Sequence, residues 1–432
     1  MNRNFNTGSF VIDGLAGQRK LSGEIKVSGA KNAAIKVMVA SIIFDGPICL
    51  EGIPEIEDVN RISELLSAAG IDVNKTGNHS YTLTASDNLS EELDAEISRT
   101  TRSSIVAVAP LLAHTGRVVF SNPGGCNLGS RPIDLFIEGY EKMGASVSQE
   151  GDRFEVVAKD GKLKGANIFF RIQSHTATET FMMAAVLAEG RTVLENCALE
   201  PEVKSLADFL IKCGADIKGA GTHTIVIEGG KPLESKGVIY KTIPDRLETG
   251  SFMILGALTG EKIKITGCNA EHVRMTIETL RHAGIEIETG KDEIIVKGKE
   301  LKKGLPVRTH EYPGLPTDLQ APMAVFLTQA PGESSIFEAI YEDRLGYVNE
   351  LKNMGADIKL QDSHRAIIKG PTPLKATGLT APDIRAGLAF IIAGAIAEGE
   401  TIIHNAYMID RGYENLENRL REIGLSIKRL KD

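Results

Sequence analysis

The chain reads Lys212-Cys213-Gly214-Ala215-Asp216-Ile217 near its middle, where an amphipathic pattern ends and an alternating pattern begins. Glycine directly after a helix is the expected C-cap, because it adopts a positive φ without a steric penalty. The alternation of apolar and polar residues after Gly214 is typical of a half-buried β-strand. The stretch therefore predicts a helix that ends just before Gly214 and a strand that follows directly.

The same pattern occurs six times along the chain. Its glycines are Gly70, Gly144, Gly214, Gly284, Gly355 and Gly424. They lie about 70 residues apart, a period well beyond that of the usual solenoid repeats. The sequence therefore predicts six α/β units of one kind.

Helices that are apolar almost all round open most of these units. Such helices are buried, because they have no polar face to turn toward water. The segments are 33–44, 103–114, 181–189, 319–328 and 386–398. We therefore predict an α/β fold of two domains with three units each, in which the helices are buried at the centre and the sheets lie outside.

Length and composition fit this organisation and exclude some kinds of partner. The 432 residues suffice for two domains with large hydrophobic cores. A net charge of −8 argues against a surface for nucleic acid or for an anionic membrane. The longest apolar stretch, around residues 387–397, is too short to cross a bilayer and predicts a buried helix.

Cysteine and histidine usage favours a reducing compartment and no bound metal. The five cysteines are scattered, and neither they nor the nine histidines show the spacing of a metal site. The first residues lack the basic and then apolar pattern of a signal peptide. We therefore expect a cytoplasmic location and no metal.

Two places in each unit carry unusual polar residues. One is the N-terminus of the buried helix, where unpaired N–H groups and the helix dipole favour anions. The other is the loop after the next strand, which in one unit places Cys126 in a glycine-rich turn five residues before Arg131. A cation near a thiol lowers its pKa, although a small buried cysteine fits the local sequence equally well. Together with the repeat, these placements predict a phosphate-handling enzyme with a closing cleft.

Several motifs give the chain a resemblance to a known family. They are Ser-Gly-Ala-Lys-Asn-Ala-Ala at 28–34, Pro-Gly-Gly-Cys at 123–126, Gly-Ser-Arg-Pro-Ile-Asp-Leu at 129–135, Pro-Gly-Leu-Pro-Thr-Asp-Leu-Gln at 313–320, Asp-Ile-Arg-Ala at 383–386 and Ile-Asp-Arg-Gly-Tyr-Glu at 409–414. Several motifs in the right order are more specific than any one of them. From residue 21 onward the chain resembles the UDP-N-acetylglucosamine enolpyruvyl transferase family.

The resemblance implies a fold and a reaction. The family's fold has two inside-out α/β-barrel domains of three repeats each, with a ligand cleft between them. For this chain it implies one domain at 30–242 and a second formed by 1–29 together with 243–432. The implied reaction transfers the enolpyruvyl group of phosphoenolpyruvate to the 3′-hydroxyl of UDP-N-acetylglucosamine and releases phosphate, the first committed step of peptidoglycan precursor synthesis. No cofactor is implied, because phosphoenolpyruvate carries its own reactive electronics.

The motif matches also imply residue roles. Cys126 matches the family's general acid, which is the target of fosfomycin, and Asp318 matches the carboxylate that takes the hydroxyl proton. Lys31, Arg131 and Arg411 match cations that bind phosphoenolpyruvate, and we count Arg411 with the catalytic residues. Asp before an apolar helix is also a preferred N-cap, which leaves Asp318 a structural interpretation. The other implied substrate-binding residues are Asn32, Arg102, Pro132, Ile133, Asp134, Leu135, Ser174, His175, Ile340, Arg344, Asp383 and Arg385.

Some alternatives stay open. For Arg344, Asp383 and Arg385, helix capping or an ion pair is nearly as good an interpretation as substrate binding. The stretch 174–178 has His and Thr where Val and Gly are usual in the family, and Lys36 stands where Pro is usual. The runner-up function is therefore a paralogue that acts on a different nucleotide or small-molecule hydroxyl.

Two further functions are weighed against the enzyme that the resemblance implies. A catalytically silent regulator that binds a UDP-sugar would have lost the acid, the base or a phosphate cation, and this chain retains them all. The relative in the shikimate pathway shares the repeat fold but lacks the Cys-bearing Pro-Gly-Gly loop, so Cys126 argues against it.

Overall fold

The computed structural model describes residues 8–124 and 133–430, which divide into two compact units. We call residues 29–124 and 133–243 the middle unit, and residues 8–28 and 244–430 the terminal unit. Each unit has its own hydrophobic core of buried side chains.

The middle unit contains buried helices, amphipathic helices and short helical turns. Its α-helices are Lys31–Val39, Glu57–Ala68, Ala95–Thr100, Ile105–Thr115, Asp134–Lys142, His175–Leu187 and Pro201–Lys212, and its 3₁₀ turns are Ala40–Ile43, Arg102–Ser104 and Lys159–Gly161. The helices Lys31–Val39, Ile105–Thr115 and His175–Leu187 are buried over most of their length, as expected for their apolar stretches.

Three sheets complete the middle unit. Their strand orders are Ile239–Lys241, Ile48–Glu51, Ser80–Ala85 and Ile71–Gly77 in the first, Asn167–Phe169, Arg191–Glu195, Thr224–Glu228 and Asp216–Lys218 in the second, and Arg117–Ser121, Arg153–Ala158 and Ala145–Glu150 in the third. Each four-stranded sheet has one parallel edge pair, and all its other pairs are antiparallel. The three sheets thus repeat one topology, with a shorter third copy.

The terminal unit has the same construction. Its α-helices are Arg246–Thr259, Arg274–His282, Gln320–Thr328, Val348–Asn353, Ile384–Ile396, Tyr407–Asp410 and Leu416–Glu422, with 3₁₀ turns at Ala270–Val273 and Thr317–Leu319. Every residue of Arg246–Thr259, Gln320–Thr328 and Ile384–Ile396 is buried. The apolar stretch at 387–397 therefore lies in a buried helix, as predicted, and none of the helices described is long and apolar enough to cross a membrane.

Three four-stranded sheets complete the terminal unit. Their strand orders are Leu21–Lys26, Gly260–Thr266, Glu293–Lys297 and Glu286–Thr289 in the first, Pro306–Arg308, Gly332–Phe337, Arg365–Gly370 and Asp357–Leu360 in the second, and Gly378–Thr380, Glu400–His404, Ser9–Asp13 and Ser426–Leu430 in the third. The early strand Ser9–Asp13 pairs with Ser426–Leu430. Residues near both ends of the chain therefore complete the last unit of the repeat.

The predicted repeat is confirmed at the level of single residues. All six glycines have a positive φ, between 85° and 106°. The predicted helix boundaries differ from the observed ones by a few residues, and the largest error is at the helix expected at 181–189, which begins at His175 and ends at Leu187. Ser174 caps it by accepting a hydrogen bond from the Ala177 N–H, and the polar residues 178–180 are buried inside the helix. The start of this helix was missed because the prediction relied on apolar residues, whereas the helix begins with polar ones.

Gly139 supplies a test of the packing between two helices of the middle unit. Its helix, Asp134–Lys142, lies so close to the ring of Phe181 that a Cβ at Gly139 would overlap the ring. We expect Gly139→Ala to lower the free energy of unfolding by about 1–3 kcal/mol, although alanine favours helices more than glycine. Urea denaturation measures the change, with Gly346→Ala as the control, because a Cβ there would meet nothing within 4 Å. Unchanged stability of Gly139→Ala would contradict the overlap.

Candidate active site

Asp318 lies in the terminal unit, in the 3₁₀ turn that precedes the buried helix Gln320–Thr328. Its carboxylate accepts hydrogen bonds from two arginines: Arg344 Nη2 lies 2.7 Å from Oδ1, and Arg385 Nε lies 2.8 Å from Oδ2. The helix that follows has no side-chain cap. The geometry therefore gives Asp318 two ion pairs in place of the capping role that its sequence position also allowed.

The two arginines are buried, with side chains that are 4% and 5% exposed. Burial by itself lowers the pKa of Arg344, but the Asp318 carboxylate raises it above its ordinary value overall. Burial likewise opposes the charge on Arg385, yet Tyr413 and Asp318 raise the pKa of Arg385 well above its ordinary value. Both guanidinium groups therefore stay charged, and about three-quarters of the Asp318 side chain is buried beside them (27% exposed).

Asp383 and Tyr413 hold Arg385 from two sides. Asp383 is the N-cap of the helix Ile384–Ile396, and its Oδ1 accepts hydrogen bonds from the N–H groups of Arg385 and Ala386. Arg385 Nη1 donates to the Tyr413 hydroxyl at 2.9 Å. Burial raises the pKa of Tyr413 to about 12, so the phenol stays protonated at neutral pH. Asp383 has the capping role that the sequence allowed, and Arg385 has the ion pair.

The loop that carries Ile340 is held by a buried carboxylate. Glu338 is fully buried, and its Oε1 accepts hydrogen bonds from the N–H groups of Ile340 and Tyr341. Its Oε2 accepts hydrogen bonds from the Thr317 hydroxyl at 2.8 Å and from Gln320 Nε2 at 3.1 Å. Glu338 therefore joins the Ile340 loop to the turn that carries Asp318. Sequence analysis missed this residue.

Arg411 is buried in the same unit, directly after the short helix Tyr407–Asp410. Its Nη1 lies 3.8 Å from Met408 Sδ. Gly412 packs against Ile384, where a Cβ would come within 2.6 Å of the isoleucine Cγ2. The segment with Arg411 therefore contacts the first turn of the helix that carries Arg385.

The remaining predicted residues described by the structure lie in the middle unit. Lys31 is the first residue of the buried helix Lys31–Val39, and its Nζ lies 3.1 Å from Asp58 Oδ2. Asn32 follows it and is half-buried. Arg102 begins the turn Arg102–Ser104, in front of the second buried helix. Lys31 and Arg102 thus each lie at the N-terminus of a buried helix, the position where the repeat predicts anion binding.

Ser174 and His175 begin the third buried helix of this unit. Ser174 is the N-cap, and His175 Nδ1 lies 3.3 Å from Lys36 Nζ. Lys36 also forms an ion pair with Glu179, at 3.0 Å. Neither Lys36 nor Glu179 was among the predicted site residues. The sequence signals were a lysine in an otherwise apolar helix and its place at a position where Pro is usual in the family.

The predicted segment 131–135 is described only in part. Ile133 is buried, Leu135 is half-buried, and Asp134 begins the helix Asp134–Lys142. Arg171 Nη2 donates to Asp134 Oδ2 at 2.6 Å, and this exposed arginine also pairs with Glu138. Cys126, Arg131 and Pro132 lie outside the described residues.

The cysteines that the structure describes differ from one another in exposure. Burial raises the pKa of Cys197 to about 12 and that of Cys268 to about 11, and it also raises the pKa of Cys213. Cys49 is exposed. Within residues 8–124 and 133–430, no three His, Cys, Asp or Glu side chains are grouped so that they could hold a metal ion.

Solved structures share this fold, and they define its class. The enolpyruvyl transferase NikO from Streptomyces tendae superposes with a TM-score of 0.87, at 24% identity, over 99% of this chain and all of its own. EPSP synthase from Acinetobacter baumannii has a TM-score of 0.74, at 20% identity, over 98% of this chain and all of its own. The α/β fold of buried helices and outer sheets is thus that of enolpyruvyl transferases, which confirms the predicted fold class.

Sequence comparison places the chain within that class. A family model described as EPSP synthase (3-phosphoshikimate 1-carboxyvinyltransferase) matches residues 15–420, and the chain belongs to this family of carboxyvinyl transferases. A UDP-N-acetylglucosamine 1-carboxyvinyltransferase of Koribacter versatilis is 42% identical over 98% of this chain and 96% of its own length. One from Halothermothrix orenii is 43% identical over 98% of this chain and its entire length.

Proposed function

We propose that this protein transfers the enolpyruvyl group of phosphoenolpyruvate to the 3′-hydroxyl of UDP-N-acetylglucosamine and releases phosphate. The observation that carries the proposal is the identity of 42–43% over 98% of the chain with relatives named for this transfer. The reaction is the first committed step of peptidoglycan precursor synthesis, and we place it in the cytoplasm.

We assign the acid and base steps to Cys126 and Asp318. The Cys126 thiol protonates the methylene carbon of phosphoenolpyruvate, which makes the neighbouring carbon electrophilic. Asp318 removes the proton from the sugar hydroxyl as the oxygen attacks that carbon, and its ion pairs with Arg344 and Arg385 fix the position of the carboxylate. The tetrahedral adduct then expels phosphate and returns a proton from its methyl group to the Cys126 thiolate, which restores the double bond and the thiol.

We propose that basic residues bind the negatively charged groups of the reactants. Lys31, Arg131 and Arg411 bind the phosphate and carboxylate of phosphoenolpyruvate, since cations that donate hydrogen bonds stabilise a developing phosphate charge. Arg344 and Arg385 orient Asp318. We place the nucleotide at a set of middle-unit residues, with one apolar contact from Ile340. These residues are Asn32, Arg102, Pro132, Ile133, Asp134, Leu135, Ser174 and His175.

The proposal predicts a specific pattern of acceptor use. We expect phosphate release from phosphoenolpyruvate with UDP-N-acetylglucosamine, and more than 100-fold slower release with UMP or shikimate 3-phosphate. A wrong acceptor leaves polar groups of the binding site without hydrogen-bond partners, which costs binding energy. Fosfomycin should abolish the release. A continuous phosphate assay with each acceptor at equal concentration measures the pattern. Turnover with UMP alone would move the chain to a paralogous function, and binding of the UDP-sugar without turnover would indicate a regulator.

A further inference from the structure

A buried ion pair of the middle unit contacts the partly exposed ring of His175. Lys36 Nζ lies 3.0 Å from Glu179 Oε2, and the two side chains are 5% and 0% exposed. His175 Nδ1 lies 3.3 Å from Lys36 Nζ and 3.5 Å from Glu179 Oε2, while 33% of the His175 side chain is exposed. Three titratable groups thus connect the core to the surface at the start of the helix His175–Leu187.

Stability alone does not account for the pair. Two charges lose their hydration when they are buried, and apolar side chains of similar volume are often as stable in their place. Glu179 Oε1 is buried without a hydrogen-bond partner in the part of the chain that the structure describes, which adds to the cost. A costly buried pair in contact with a surface histidine points to a functional role for that histidine.

The ammonium group of Lys36 determines which nitrogen of His175 carries the hydrogen. An ammonium group has donors only, so Nδ1 accepts in its 3.3 Å contact with Lys36 Nζ. This contact is shorter than the 3.5 Å between Nδ1 and Glu179 Oε2, an oxygen that already pairs with the ammonium group at 3.0 Å. A neutral imidazole that accepts at Nδ1 carries its hydrogen at Nε2. Glu179 holds the ammonium group in place through the ion pair. The pair thereby presents Nε2–H as a donor.

This donor stands at a place that suits an anion. Nε2 makes no hydrogen bond to any residue between 8 and 124 or between 133 and 430, and neither do the N–H groups of His175 and Thr176. The helix is 13 residues long, and its dipole adds a positive potential at this end. All three donors are therefore available to phosphate oxygens.

We propose that Lys36 and Glu179 are positioning residues that hold His175 with its hydrogen on Nε2, and that Nε2 donates this hydrogen to a phosphate oxygen of the bound nucleoside diphosphate. The proposal rests on the proposed function, which brings a nucleoside diphosphate to this protein. It assigns a specific contact to the His175 side chain, and it gives the buried pair a role in affinity for the nucleotide.

A double-mutant cycle tests the proposal. The variants are His175→Ala, the charge-free pair Lys36→Met with Glu179→Gln, and all three changes together, each titrated calorimetrically with UDP-N-acetylglucosamine and with UDP. We expect His175→Ala to raise the Kd for both ligands about tenfold, or about 1.4 kcal/mol. The pair variant should raise Kd by a similar factor, and the triple variant by no more than either. KM for the UDP-sugar should rise while kcat changes less than threefold.

Two controls separate positioning from a general loss of structure. Lys162→Met with Glu189→Gln makes the same substitutions at an exposed ion pair of the same unit, 2.9 Å long, and should leave Kd unchanged. His175→Gln in the pair variant supplies an amide donor that needs no fixed tautomer, and it should restore the affinity to within threefold of the wild type. Thermal melting of each variant checks that it is folded.

The outcomes distinguish this inference from the proposed function. Wild-type affinity in His175→Ala, or additive effects of the pair and the histidine, overturns the inference while turnover by the wild type leaves the proposed function intact. A wild-type protein that does not bind UDP-N-acetylglucosamine overturns both.

Discussion

Asp318→Asn is expected to lower kcat by roughly 10²–10⁴-fold, because an amide cannot take the proton from the attacking hydroxyl. The amide keeps one oxygen acceptor for one of the two arginines, so the variant should still fold. Steady-state phosphate release at saturating phosphoenolpyruvate and UDP-N-acetylglucosamine measures the loss.

Asp357→Asn is the matched control for this change. Asp357 is an exposed aspartate on a strand of the same unit, and its replacement should leave kcat within about twofold, as for most surface substitutions. A kcat for Asp318→Asn within threefold of the wild type would contradict the role of base.

Local features of the fold could be predicted from the sequence because each depends on a few neighbouring residues. The six C-cap glycines are the clearest case, since a positive φ after a helix is set by the turn itself. The start of the helix His175–Leu187 could not be predicted in this way. Thr178 and Glu179 resemble solvent-facing residues in sequence, and their burial depends on partners such as Lys36 that lie far away along the chain.

The site follows the same division. Asp318, Arg344 and Arg385 were each predicted from the family resemblance, which did not show that the two arginines form ion pairs with one carboxylate. They lie 26 and 67 residues from Asp318, and only the packing of the terminal unit brings them together. Glu338 was missed because buried carboxylates are rare, so an isolated glutamate is read as a surface residue. Its four donors come from its own loop, at Ile340 and Tyr341, and from the turn with Thr317 and Gln320.

The reactivity of Cys126 can be measured separately from that of the cysteines that the structure describes. Cys197, Cys213 and Cys268 are buried with raised pKa values, so their thiols stay protonated and inert at neutral pH. Cys49 is exposed and is the competing site for a thiol reagent. In a Cys49→Ser background, alkylation at neutral pH should therefore report on Cys126.

Cys126→Ser is expected to lower turnover by at least 10²-fold, because a serine hydroxyl is a far weaker acid than a thiol and cannot protonate the methylene carbon efficiently. Cys49→Ser should retain the wild-type rate. Alkylation of the Cys49→Ser protein with iodoacetamide should stop phosphate release in step with the modification of one thiol. Phosphoenolpyruvate together with the UDP-sugar should slow this alkylation. Near wild-type turnover by Cys126→Ser would remove the thiol from the acid step and leave that proton to another group.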